Sequence, residues 1–163
     1  MSAAALRPAL PGDTPALAAI LRAAVFELTA EDYDTDQQEA WAAAADDEAA
    51  FAARLARGLT LVAVRGGAPV GFVSLADNRV IDLLYIHPES VGEGIAGMLC
   101  AATEKLAQAR GAESLTADAS DTALGFFQKR GYVAQRRNTV HRGAVWLGNT
   151  TVQKRLAEEG TAP

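Results

Sequence analysis

The chain has one cysteine, Cys100, in 163 residues. A single thiol forms neither an internal disulfide nor a zinc site, so no metal is expected. Aromatic side chains are scarce at 6 %, although half of the residues are apolar. That apolar fraction is too high for a disordered chain. No apolar run approaches the ~18–20 residues that a membrane span needs. Met1 to Leu10 lacks a basic segment followed by a long apolar core, so no secretory signal is expected. Basic residues are outnumbered, 15 Lys and Arg against 20 Asp and Glu, for a net charge of −5. This balance argues against general nucleic-acid binding, which needs a basic face. These absences predict a cytoplasmic protein in a reducing setting, with neither a nucleic acid nor a membrane as partner. The length suits one domain, expected over 1–156, with a frayed tail at 157–163.

What is present alternates between two periods. Ala3 to Leu10 reads as an edge strand. Asp13 or Thr14 can cap a helix with Pro15 in its first turn and Leu17, Ile20, Leu21, Ala24 and Val25 along one face. A second helix is expected from Thr35 or Asp36 through Trp41, restarting at Asp46-Asp47-Glu48 and ending at Gly58. Leu59–Val64 and Val70–Leu75 flank Gly66-Gly67 as a hairpin, and Val80–Ile86 follows the Asp77-Asn78 turn. A long helix opens in the cluster Gly92, Gly94, Gly97, with Ile95, Met98, Leu99, Ala102 and Leu106 at helical spacing. A short strand at Leu115–Ala117, a short helix at Thr122–Arg130 and two closing strands complete the order. The expected fold is α/β (α+β): a mixed, mostly antiparallel sheet of about six to seven strands flanked by about four helices.

The stretch from Ile81 to Leu99 carries the most chemistry. A strand runs into a glycine-rich turn that opens a helix. Unpartnered amides at the positive end of a helix dipole bind phosphate or pyrophosphate. The same feature also suits a tight loop with no ligand. No Gly-Lys-Ser/Thr ending is present, and the glycine spacing is not that of a dinucleotide fold.

Leu84-Tyr85-Ile86-His87-Pro88, Val91-Gly92-Glu93-Gly94-Ile95-Ala96 and Phe126-Phe127-Gln128-Lys129-Arg130-Gly131-Tyr132 together resemble the GCN5-related N-acetyltransferases (GNATs), as in a small bacterial single-domain member. The resemblance is specific from about Ala68 to Leu156 and looser from Tyr33 to Leu55. It implies a GNAT-like acyl-CoA N-acyltransferase fold and acetyl-CoA as cosubstrate. The CoA pyrophosphate would lie on the amides of Gly92 to Gly97, a segment that includes Glu93, Ile95 and Ala96. The pantetheine arm would pair with the backbone of Leu84, Tyr85 and Ile86 between two splayed strands. Ser120 would touch the pantetheine, and Phe127 would pack near the thioester. A homodimer through the last strands is also implied.

Three positions depart from the family pattern. Val91 stands where Gln or Arg is usual, and Glu93 where a basic residue is common. Phe127 stands four residues before Gly131, where many members carry the tyrosine that protonates the leaving thiolate. A phenylalanine cannot donate a proton.

Transfer to an amine needs a proton acceptor. Asp82 is the carboxylate candidate, placed by period-two counting on the face of Leu84 and Ile86; a strand-end acid that only binds water fits equally. His141, in the turn between the last strands, is a second candidate against a solvated loop histidine. His87 is expected to shape its turn, Tyr132 and Trp146 to pack, and Cys100 to act as a buried small hydrophobe. Between Arg22 and Arg54 there is no Lys or Arg, while Glu27, Glu31, Asp32, Asp34, Asp36, Glu39, Asp46, Asp47 and Glu48 cluster there. This segment reads either as a solvated acidic surface or as an attractor of a cationic acceptor, with Tyr33 and Trp41 lining the pocket. The expected activity is acetyl transfer to a primary amine of a small molecule or peptide, by direct attack in a ternary complex. An acyl-CoA-binding module with little turnover and a drug-sequestering resistance protein stand as alternatives.

Overall fold

The computed structural model describes residues 3–156. The expected frayed tail at 157–163 lies outside the described residues. Seven strands form one sheet in the order β1-β2-β3-β4-β5-β7-β6. They are β1 (Ala5–Pro8), β2 (Leu59–Arg65), β3 (Ala68–Ala76), β4 (Val80–Ile86), β5 (Ser114–Ser120), β6 (Val133–Arg142) and β7 (Val145–Arg155). Every pairing is antiparallel except β4 with β5. Gly66 and Gly67 turn β2 into β3, and Asp77 and Asn78 turn β3 into β4, all four with positive φ as tight hairpins require.

The helices are α1 (Thr14–Leu28), α2 (Thr35–Ala42), α3 (Glu48–Ala56), α4 (Ile95–Ala109) and α5 (Leu124–Lys129). The expected second helix is therefore two. Asp34 caps α2 by accepting from the Gln37 amide, and Asp47 caps α3 by accepting from the Ala50 amide. A short 3-10 turn over Ala43–Ala45 separates them.

The sheet divides two cores. On one face α4 and α5 bury Ile95, Leu99, Cys100 and Phe127 against Ala63, Val73, Leu115 and Val152. On the other, α1, α2 and α3 bury Leu17, Leu21, Val25, Phe51 and Leu55 against Val62, Phe72 and Leu83. Each fully buried Leu, Val or Phe contributes about 1.5–3 kcal/mol. The buried stripe of α4 is Ile95, Leu99, Cys100, Thr103 and Ala107. The expected member Leu106 is exposed, and the Thr103 hydroxyl is satisfied by donating to the Leu99 carbonyl.

One irregularity positions the site. Ser74 pairs with Leu83 and Leu75 with Ile81, so Asp82 has no partner on β3. This bulge shifts the alternation by one residue. Ile81 packs on the α4 side and Leu83 on the α1–α3 side. Beyond it, Leu84 and Ile86 face α4, and Tyr85 faces the other helices. Period-two counting thus put Asp82 on the wrong face: it meets Arg54 of α3.

Candidate active site

The loop between β4 and α4 is shaped by positive φ at Gly92 and Gly94, with Gly94 in the left-handed conformation as N-cap of α4. The first helical bond of α4 runs from the Met98 amide to the Gly94 carbonyl. The amides ahead of it have no helical acceptor and are left for a ligand. The Ile95 side chain is buried in the core, so only its amide can serve the loop. Glu93 does not face the cradle unpaired, since its carboxylate accepts from Arg65 at 2.9 Å.

Beside this loop the sheet opens. The parallel ladder of β4 and β5 consists of Val80–Thr116 and Ile81–Ala117 only. β4 stays paired with β3 as far as Ile86, and β5 stays paired with β7 as far as Ser120. The two strands therefore diverge into a wedge. One cavity of about 200 Å³ lies in it, lined by Leu84, Ile86, Val91, Ala96, Ser120, Phe126 and Phe127 among others. A second, of about 300 Å³, adjoins it and is lined by Tyr33, Trp41, Ala44, Arg54, Val140, Arg142, Leu147 and Asn149 among others. Trp41, Ile81, Asp82, Tyr85, Asp118 and Ser120 line both.

The shared wall is held by a defined set of contacts. Arg54 Nε and Nη2 donate to the two oxygens of Asp82 at 2.8 and 3.0 Å, and this pairing holds the guanidinium charge. Asp118 Oδ1 accepts from the Thr151 hydroxyl at 2.6 Å. Asn138 in turn donates to that hydroxyl. Burial pushes the Tyr85 phenol up, and its hydroxyl accepts from the Trp41 indole at 2.9 Å. The Tyr33 hydroxyl donates to the Gly148 carbonyl at 2.6 Å and accepts from the Asp121 amide at 2.9 Å. Tyr33 and Trp41 meet edge to face, 5.3 Å apart, so both present rings rather than free polar groups to the cavity. The Ser120 hydroxyl accepts from the Ala123 amide at the start of α5.

The family model described as an acetyltransferase (GNAT) domain matches residues 29–149. This chain belongs to the GNAT acetyltransferase family. It is 33 % identical over 139 residues to the Escherichia coli (strain K12) protein named uncharacterized N-acetyltransferase YafP, covering 85 % of this chain and 87 % of that one. It is 58 % identical, with a TM-score of 0.93, to the crystal structure of a GCN5-related N-acetyltransferase (aminotransferase, class-II) from Rhodopseudomonas palustris, covering 96 % of this chain and 98 % of that one. The PaiA N-acetyltransferase of Thermoplasma acidophilum, solved in complex with coenzyme A, shares the fold at a TM-score of 0.79 and 17 % identity, covering 94 % and 99 %.

Within this GNAT site the expected residues separate into two groups. Leu84, Tyr85, Ile86, Val91, Ala96, Ser120 and Phe127 line the wedge, and Gly92, Glu93, Gly94, Ile95 and Gly97 form the loop and first turn beside it. His141 is elsewhere. It is exposed and stacks on Trp146, 3.6 Å between ring centres. Its neighbours Val140 and Arg142 line the cavity, so alternation turns His141 to the opposite face. Tyr132 packs on Phe127 and donates to Glu104 at 2.9 Å. Burial, reinforced by the Glu104 charge, pushes its phenol up; because it lines neither cavity, it does not replace the missing family tyrosine. Burial pushes the Cys100 thiol up to about 12. Among the described residues no group of three or more His, Cys, Asp and Glu is placed to hold a metal, and no helix is long and apolar enough to cross a membrane.

None of the nine acids between Glu27 and Glu48 lines either cavity. Asp34 and Asp47 cap helices, Asp46 pairs with Arg22, and Asp32 accepts from Thr122. The solvated-surface reading of that segment is the one the structure supports. The charged residues of the site are instead Asp82, Asp118, Arg54 and Arg142, of which the sequence had nominated Asp82 alone. Asp118 stands two residues before Ser120 on β5, so period-two counting back from Ser120, which the resemblance had placed, could have found it.

Proposed function

We propose that this GNAT acetyltransferase moves an acetyl group from acetyl-CoA to a primary amine by direct attack within a ternary complex. The observation that carries this reading is the pair of cavities meeting at one wall, one running beside the glycine loop and the other opening away from it. The amides from Gly92 to Gly97, in the loop that also holds Val91 and Glu93, cradle the pyrophosphate. The unpaired edge of β4 at Leu84, Tyr85 and Ile86 receives the pantetheine arm. Ser120 and Phe127 flank the arm and the thioester. Tyr33 and Trp41 wall the acceptor.

The amine nitrogen attacks the thioester carbonyl carbon. A carbon–nitrogen bond forms, the carbon–sulfur bond breaks, and CoA leaves as the thiolate, which takes a proton from water. A β4 amide at the wedge polarises the carbonyl. The amine proton passes, directly or through one water, to the carboxylates of the shared wall. These are Asp82, the residue the sequence nominates, and Asp118, which keeps Oδ2 clear of the Thr151 contact. Pairing of two copies along β6 belongs to the same reading, because β6 is an edge strand exposed along most of its length; sedimentation gives the assembly size.

Phe127 keeps a second reading in play, a binding module that holds acyl-CoA without turnover. Thiol release from acetyl-CoA across a panel of amines separates the two. Amine-dependent release supports transfer. Thermal protection by CoA with no release above the buffer rate supports the module.

A further inference from the structure

The charges of the acceptor cavity are segregated. Asp82 and Asp118 stand on the wall shared with the cofactor cavity, whereas Arg54 and Arg142 line the acceptor cavity alone. Formal charge there is balanced, two carboxylates against two guanidiniums. Arg142 is uncommitted: its one hydrogen bond among the described residues runs from Nη1 to the neighbouring His141 carbonyl at 3.2 Å. Arg54 gives Nε and Nη2 to Asp82 and keeps Nη1 free of any partner among the described residues. Arg54, Arg142 and Tyr85 line the same cavity. A guanidinium with unused donors in a concave site is the geometry that recognises a carboxylate or phosphate in two-pronged fashion.

A polyamine would leave Arg142 facing a like charge, which costs affinity. A plain alkylamine would leave its donors unmatched. Rests on the proposed transfer reading, we infer that the acceptor is an amine that also carries an anionic group. Its nitrogen points to Asp82 and Asp118 at the thioester end, and its carboxylate or phosphate lies on Arg142 and the free donor of Arg54. This departs from the cationic-acceptor reading, one of the two that the acidic helical segment allowed: the acceptor is zwitterionic.

The test uses linear ω-amino acids, the n-alkylamines of matched length and spermidine. Thiol release is measured with acetyl-CoA, and binding by calorimetry to the protein–CoA complex. At least one amino acid should exceed its matched alkylamine about tenfold or more in kcat/KM and in affinity, the range of a charged hydrogen-bonded pair. R142M should collapse that ratio toward one, and R142K should restore part of it. Equal or better use of alkylamines or spermidine, or an R142M ratio equal to wild type, overturns the inference while leaving transfer intact. Arg142-dependent binding of an amino acid with no thiol release supports the acceptor class and overturns transfer instead. No binding or turnover of any amino acid in the series overturns the inference.

Discussion

Asp82 and Asp118 share a wall but are held differently. Arg54 grips both oxygens of Asp82, while Thr151 grips one oxygen of Asp118. D118N and D82N should each lower kcat/KM by about 100-fold at neutral pH, the lower range for a lost proton acceptor. The CoA dissociation constant should stay within about twofold. Wild-type kcat/KM in both variants would remove the carboxylates from the proton path. Cys100 makes the opposite statement. Fully buried and pushed up to about 12, its thiol is protonated at neutral pH and unreactive. An aromatic disulfide reagent should leave the native protein unlabelled and react with one thiol per chain after denaturation. Rapid labelling of the folded protein would contradict this burial. Apart from its spacing from Ser120, Asp118 looks like any exposed acid on its own strand; its meaning comes from Thr151 across the ladder and the cavity beyond. Arg54 and Arg142 escaped for the same reason, since α3 and the β6–β7 hairpin converge only in the folded chain.

At the scale of elements, glycines punctuate the chain and make its order legible. Gly66-Gly67 marks the first hairpin, and the cluster from Gly92 marks the start of α4. What periodicity cannot show is the bulge at Asp82, because it arises from how β3 pairs with β4. The restart at α3 was legible in Asp46-Asp47-Glu48, whereas the 3-10 turn over Ala43–Ala45 was hidden, as the alanine run contains no helix breaker. Gly94 holds φ at +81°, where a β-branched side chain costs about 1–3 kcal/mol. G94V should raise the CoA dissociation constant at least about tenfold; unchanged affinity would overturn the loop assignment. Gly58 plays a different part. A Cβ there would lie 2.0 Å from the Leu75 carbonyl oxygen, so G58A must displace backbone. It should destabilise by about 1–3 kcal/mol in denaturant titration, and a neutral result would contradict the close packing of that turn on β3. β1 is tied to α1 by Arg7, whose guanidinium donates to Asp13 at 2.7 and 2.9 Å. This pairing lowers the Asp13 carboxyl from 3.8 to about 2. A lowered carboxylate stabilises the fold fully above its unfolded value and loses that contribution as pH falls toward the folded value. The Tm difference between wild type and R7M should therefore be constant at neutral pH and close as pH drops from about 4 to about 2. A gap that persists at pH 2 would exclude the pairing as its source.

For the molecule as a whole, the net charge of −5 conceals a division of labour. The nine acids from Glu27 to Glu48 are exposed, Asp34 and Asp47 among them capping helices, and the site itself is charge-balanced. The family and fold were legible because the β4–α4 loop and the Phe126–Tyr132 helix carry the motif in contiguous residues. The proposed acceptor cavity was legible only in Tyr33 and Trp41, because its other walls come from α1, α3, β4, β5, β6 and β7 at once. In the proposed reading the two cavities are the two halves of one transfer. The most direct measurement follows free thiol and N-acetylated product together, with acetyl-CoA and an ω-amino acid as substrates. The account predicts thiol and product in equal amounts, both dependent on protein and amine and both reduced in D118N. Thermal protection by CoA with no amine-dependent thiol release would contradict it.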